Sequence, residues 1–357
     1  MHVMGKGNLR NKECLCGSGA RYKRCCYDLT DGQVEEKKQT IVMSKVFRDA
    51  NIKKCLFPDN SQCDERIIRA HSIQNNKILD RLSENGEVYM IRPRYGYNFG
   101  FVLEKVGRAK ATTFTGFCAH HDNKIFSPID NMPYIVGDSQ QEALYAYKAF
   151  AREWHAKLVV MNVMRLAEDK IIDPSSKDEL EAFSEGVALA LADIEKDAVI
   201  FRDFLLGGQD DEIATKVIVF NNEYDFSVSA AITMPFDFEG NRLEHFAKTE
   251  WLFAKTLFLS IFPQDGKTYI LLSYLKRESS FFSFLDDQLL KTNDDVKKDR
   301  LTKLVVYHCE NSAFSPRLIE AMTETEKTKL VEAFHSTVHV FQSDIPMQDS
   351  AGFSLFG

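Results

Sequence analysis

Four cysteines packed into thirteen residues constrain this chain more than any other feature of its sequence. The segment Cys14-Leu15-Cys16-Gly17-Ser18-Gly19-Ala20-Arg21-Tyr22-Lys23-Arg24-Cys25-Cys26 has too few apolar side chains to build a core and must be organised from its sulfurs outward. Zinc takes four ligands in a tetrahedron, about 2.3 Å from each sulfur, and a structural site fills every position. The Gly-Ser-Gly between the ligand pairs permits a tight reversal, and Arg21, Lys23 and Arg24 offset the negative charge of a zinc held by four thiolates.

The other cysteines are equally lopsided. Of eight, seven lie in the first third (Cys14, Cys16, Cys25, Cys26, Cys55, Cys63 and Cys118), and only Cys309 stands apart. Met1 to Gly7 lacks the apolar core of a secretory signal, and no apolar run approaches the ~20 residues that cross a bilayer. The expectation is a cytoplasmic chain without a membrane partner, in which clustered thiols mean metal rather than disulfides. Cys309, in Leu304-Val305-Val306-Tyr307-His308-Cys309, reads as a buried thiol on a strand.

The first segment resembles the SEC-C motif, C-x-C-G-S-G-x-x-Y-K-x-C-C/H, over residues 13–27. This zinc hook ends the SecA translocation ATPase and recurs as an accessory module in bacterial proteins. The resemblance implies a structural zinc on Cys14, Cys16, Cys25 and Cys26, and a surface that can dock a protein partner.

A second constellation follows: Cys55, Cys63 and His71, then Cys118-Ala119-His120-His121-Asp122-Asn123. Cys118 and His121 stand three apart, and with Cys55 and Cys63 they complete a second tetrahedron of the treble-clef kind. The arrangement resembles the HNH, or ββα-metal, endonucleases. Arg69-Ala70-His71-Ser72-Ile73 stands where that family places its general base, and Cys118 to Asp122 where it closes the zinc and begins a catalytic metal site. The resemblance implies His71 as base, with Asp122 and Asn123 holding Mg2+ or Mn2+ against a phosphodiester. Other roles stay open: His71 as a zinc ligand in place of Cys55 or Cys63, His120 as a solvated neighbour, and Asp122 as a helix cap.

Between these halves, Arg92-Pro93-Arg94-Tyr95-Gly96-Tyr97 alternates cations with aromatics. Arg92, Arg94, Tyr95 and Tyr97 are candidate nucleic-acid contacts, alongside the simpler reading of a strand and turn. Net charge follows the same polarity: +6 over residues 1–54, +1 over 55–130 and −14 over the remainder, giving −7 in all. A basic end on an acidic body suits a chain that meets DNA or RNA at one end.

The fold class expected is α+β. Residues 1–30 form the zinc hook, 31–54 a charged linker with a short helix, 55–135 an HNH-like treble-clef domain, 136–210 a helical region and 211–357 an α+β domain whose role is not legible. Helices are expected at Ser139–Glu168 and Lys177–Leu206. A hairpin is expected over Pro263-Gln264-Asp265-Gly266, with further helices at Phe284–Lys291, Pro316–Met322 and Glu324–Val340. Two functions fit: a two-zinc, metal-dependent nuclease of the kind bacteria deploy in defence, or a non-catalytic zinc adaptor that binds nucleic acid or a partner protein. Oligomeric state is not legible.

Overall fold

The computed structural model describes residues 9–63, 66–94, 100–168, 175–208, 211–243, 254–338 and 351–357. Tyr95 and Tyr97 fall outside them, as do Asp173 and Pro174 of the segment Asp173-Pro174-Ser175-Ser176, which is expected to form a turn and then an N-cap between the two long helices.

The α+β class holds. After the hook, helix α1 (Asp31–Ala50) starts at a reciprocal capping box: the Thr30 hydroxyl accepts from the Gln33 N–H, and the Gln33 side chain accepts from the Thr30 N–H. The expected short linker helix is thus 20 residues long. Strand β1 (Ile67–His71) precedes β2 (Glu87–Arg94), β3 (Gly100–Gly107) and β4 (Thr113–Cys118), which runs into α2 (Ala119–Asp130). Two long helices come next, α3 (Ser139–Glu168) and α4 (Ser175–Leu205). The chain continues through β5 (Ile213–Phe220), β6 (Phe226–Ile232), β7 (Leu257–Gln264), β8 (Lys267–Leu275), α5 (Asp294–His308), β9 (Ser312–Phe314), α6 (Pro316–Ala321) and α7 (Glu324–Val338).

Among the described residues the strands form two sheets. β1 and β4 pair alone, antiparallel, while the other seven make one antiparallel sheet in the order β3-β2-β9-β6-β7-β8-β5. The short β9 stitches it together, with Phe314 opposite both Tyr89 and Phe226. β2 and β3, from the 55–135 segment, therefore share a sheet with strands of the 211–357 segment. The β7–β8 hairpin turns over Asp265 and Gly266, both at positive φ (53° and 78°), the geometry of a type I′ turn that matches the twist of its strands.

Helix α3 is the spine between the sheets. Ala143, Leu144, Ala146, Tyr147, Ala149, Phe150 and Ala151 are all buried, so its first half is covered on every side rather than along one stripe. Its alanines let neighbours come close, and its aromatics fill the gaps. Phe150 stacks on Phe201 of α4 with centroids 4.6 Å apart, Phe258 of β7 meets Phe201 edge-on at 5.4 Å, and Tyr147 stacks on Phe126 of α2 at 5.9 Å. Burying such rings contributes roughly 1.5–3 kcal/mol each.

Two local expectations are corrected. Leu304 to His308 is the last part of helix α5, started by Asn293, whose side chain accepts from the Val296 N–H; Cys309 is buried, but as the helix's C-cap and not on a strand. A short apolar run cannot by itself separate strand from buried helix. Around Phe284–Lys291 the chain forms a short 3-10 turn at Phe281–Ser283 and a single wide turn at Asp286–Leu290, not a regular helix.

Candidate metal centres and the ββα unit

In the hook, Gly17 and Gly19 adopt φ of 82° and 72°, which a side chain would resist. The reversal they allow pairs Glu13 with Arg21 and brings all four sulfurs within 4.8 Å of one another. Cys16 Sγ lies 3.4 Å from Cys25 Sγ, and Cys26 Sγ lies 3.7 Å from it. The hydroxyl of Ser18, 3.0 Å from Cys25 Sγ, lowers that thiol to about 6. Burial, reinforced by the neighbouring thiols, pushes Cys26 upward. Four thiols so close cannot all ionise without a cation among them. Leu15 projects into solvent at 67% exposure.

The second centre gathers Cys55, Cys63, Cys118 and His121, again with donor atoms within 4.8 Å of one another. A tetrahedral zinc, about 2.3 Å from sulfur and about 2.0 Å from nitrogen, has edges of roughly 3.5–3.8 Å. Here His121 Nδ1 stands 3.5 Å from Cys55 Sγ, 3.5 Å from Cys63 Sγ and 3.3 Å from Cys118 Sγ, and the sulfurs of Cys55 and Cys118 are 3.9 Å apart. Cys118 also caps α2, its sulfur accepting from the His121 N–H at 3.4 Å. Leu56 N donates to the Gly116 carbonyl at 2.8 Å, which holds the Cys55 segment against β4. His121 is fully buried, and its ring stacks on Phe57 with centroids 4.1 Å apart. Burial, reinforced by Cys55, lifts the Cys63 thiol to about 12, as expected where a positive ion is needed to ionise the set.

His71 is not a member of this set. It ends β1, half-buried, with Nε2 3.2 Å from the Arg108 carbonyl oxygen. A carbonyl only accepts, so Nε2 carries the proton and Nδ1 keeps its lone pair. Burial holds the imidazole below its usual pKa, against the raising effect of that carbonyl, so it is neutral at physiological pH. The next residue is tied down: Ser72 Oγ donates to the Thr112 carbonyl at 2.8 Å and accepts from Asn311 Nδ2 at 2.8 Å.

Asp122 stands in the first turn of α2 with Oδ1 buried and without a hydrogen-bond partner among the described residues. Burial raises this carboxyl to about 6; Lys148 opposes the rise and Asp130 adds to it. Asn123 and His120 are exposed. Sequence reasoning missed Lys148. It lies on α3 with a side chain only 3% exposed, 2.7 Å from Asp130 Oδ1 and 4.6 Å from the Phe126 ring centre. Both His71 and Asp122 feel this ion pair. The helix pattern gave no sign that Lys148 turns inward.

Arg92 is exposed and 3.6 Å from Glu104, and Arg94 is exposed at the end of β2. Among the described residues, the two cysteine sets are the only groups of three or more ligating side chains close enough to hold a metal ion, and no helix is long and apolar enough to cross a membrane.

Residues 10–28 match the SEC-C motif. The match and the sulfur geometry agree on a zinc-binding hook, and the second set is equally suited to zinc. No curated protein and no solved structure matches the chain.

Proposed function

We propose that this chain is a two-zinc protein whose β1–β4–α2 unit cleaves phosphodiester bonds in DNA or RNA. The observation that carries the reading is His71: neutral, oriented through Nε2, with Nδ1 left as an acceptor at the end of β1. A histidine so held takes a proton from water attacking phosphorus. The unit around it runs strand, strand, helix, with the second zinc set closing the junction between β4 and α2.

A divalent ion would be held from the start of α2. Mg2+ is commonly held by one or two carboxylates, with water and substrate phosphate completing its shell, and the buried, unpartnered oxygen of Asp122 suits one such position. Asp122, with Asn123 beside it on α2, would hold Mg2+ or Mn2+. When bound, the ion supplies charge stabilisation at the phosphate. His71 holds and moves the proton; Arg108 fixes its tautomer; the zinc set keeps β4 and α2 in place. Use in bacterial defence is consistent with the pairing of a zinc hook and an HNH-like centre.

One observation favours the adaptor reading. The Lys148 ammonium is buried against Asp130 and is felt by both His71 and Asp122, so a positive charge already stands near the place a catalytic metal would take. In that reading both zincs are structural, and the +6 segment of residues 1–54 contacts nucleic acid or a partner protein.

The test is incubation of zinc-loaded protein with plasmid DNA, single-stranded DNA and RNA, with Mg2+, Mn2+ or chelator. Cleavage of any substrate that depends on the added ion supports the nuclease. Intact substrates in every arm, together with binding that weakens steeply with salt, support the adaptor.

A further inference from the structure

The seven-stranded sheet ends at β3 on one side and at β5 on the other, and the two edges are unlike. β3 carries the exposed charges Glu104 and Lys105, which discourage a further strand from pairing there. β5 reads Ile213-Ala214-Thr215-Lys216-Val217-Ile218-Val219-Phe220. It holds neither proline nor glycine, and it pairs with β8 along its whole length without a bulge. Its one charge, the Lys216 ammonium, is held by Asp286. Val219 stands 38% exposed.

The hydrogen bonds of β5 fix which of its groups face outward. In an antiparallel ladder a residue sends its N–H and C=O to the same side, and that side alternates along the strand. Lys276 N donates to the Glu212 carbonyl at 2.8 Å, one step beyond the pairing of Ile213 with Leu275. The even-numbered residues of β5 therefore point at β8. Ile213, Thr215, Val217 and Val219 present their N–H and C=O groups away from the sheet. Among the described residues, no hydrogen bond from backbone or side chain reaches those groups.

A row of open backbone groups on a strand rich in β-branched residues is a template for another strand, and β5 is its own complement. Across a two-fold axis, outward residues must meet outward residues. The registers that keep most of the strand paired are centred on Lys216 and on Val217. The first sets two Lys216 side chains directly opposite each other at the closer spacing of about 4.5 Å between Cα atoms, where like charges repel. The second sets Val217 against Val217, Thr215 against Val219 and Lys216 against Ile218. Each pair formed by Thr215, Val217 and Val219 then exchanges two N–H···O bonds, and exposed Val219 is covered. We infer that β5 pairs antiparallel with β5 of a second copy, centred on Val217, so that one sheet runs through a two-fold dimer. The contact is isologous and consumes the open edge of both copies, so assembly stops at two.

Sedimentation equilibrium of the full-length, zinc-loaded protein tests this, and the expected result is a reversible dimer at micromolar concentration. Val217→Pro breaks no ladder bond within one copy, because the lost N–H faces outward, but it removes bonds at the axis. Val219→Lys places a charge on the exposed edge. Each should raise the dimer Kd tenfold or more while keeping zinc content, and Val219→Lys decides the matter if the proline variant does not fold. Val217→Cys reads the register: Cα atoms about 5.5 Å apart lie within disulfide reach, so mild oxidation should cross-link this variant and leave Val219→Cys and wild type uncrosslinked. A protein that stays monomeric at every concentration overturns the inference. So does a dimer that Val217→Pro and Val219→Lys leave unaffected, or cross-linking through Val219→Cys and not through Val217→Cys. None of these outcomes depends on nuclease activity.

Discussion

Cys118 and His121 are bound to each other twice: the Cys118 sulfur accepts the His121 backbone N–H at 3.4 Å and lies 3.3 Å from the His121 ring nitrogen. One cysteine thus starts helix α2 and offers a zinc ligand at the same point. Loss of this cysteine therefore removes the cap of α2 and one donor of the metal set together.

Cys118→Ser separates the two roles, because serine caps helices well but is a poor zinc ligand. Elemental analysis should find two zincs per wild-type chain and one in this variant. A Cys14→Ser variant should also hold one zinc, while its ββα unit keeps the thermal stability that Cys118→Ser loses. Two zincs retained by Cys118→Ser would remove it from the ligand set.

Gly116 is the tightest point of β4. A Cβ there would lie 2.5 Å from the Phe114 ring and 3.3 Å from Leu56, and Phe114 is itself buried. Gly116→Ala should destabilise the protein by about 1–3 kcal/mol, and because Leu56 adjoins Cys55 it should weaken the second zinc more than the first. Denaturant melts with zinc-release assays measure both.

Lys148→Met leaves Asp130 without its partner at 2.7 Å. Breaking such a largely buried pair should cost about 2–4 kcal/mol, and adding Asp130→Asn should restore much of it. A double variant no more stable than the single one would mean that the pair contributes little.

Glu278 is almost fully buried, and burial, reinforced by Asp197, lifts its carboxyl to about 7. A carboxyl raised above its unfolded value stabilises the fold at low pH and loses that contribution as pH rises through the folded value. Glu278→Gln should therefore gain on wild type between roughly pH 4.5 and 7, by up to about 3 kcal/mol. Unfolding curves at pH 5 and pH 8 test it; an unchanged difference between the two would contradict it.

Both cysteine sets were legible in the sequence because soft thiolate donors at such short spacing suit a metal ion and little else, and the ligands Cys55, Cys63, Cys118 and His121 come together as the spacing implied. Helix α3 was legible by its period, though not that its first half is buried all round. What stayed hidden depends on partners far along the chain. Nothing near Lys148 announces that it points at Asp130, and nothing near β2 says that the three residues of β9 will join it to β6. The acceptor of His71 Nε2 is a backbone carbonyl at residue 108, which no side-chain pattern can reveal.

The most direct measurement is nucleic-acid cleavage by wild type and His71→Ala, each first shown to be folded and to carry two zincs. His71 contacts neither zinc set, so the variant should keep both ions while losing Mg2+- or Mn2+-dependent cleavage by a factor of about 10²–10⁴. Equal cleavage by the two proteins, or none by the zinc-replete wild type, would contradict a nuclease built on His71.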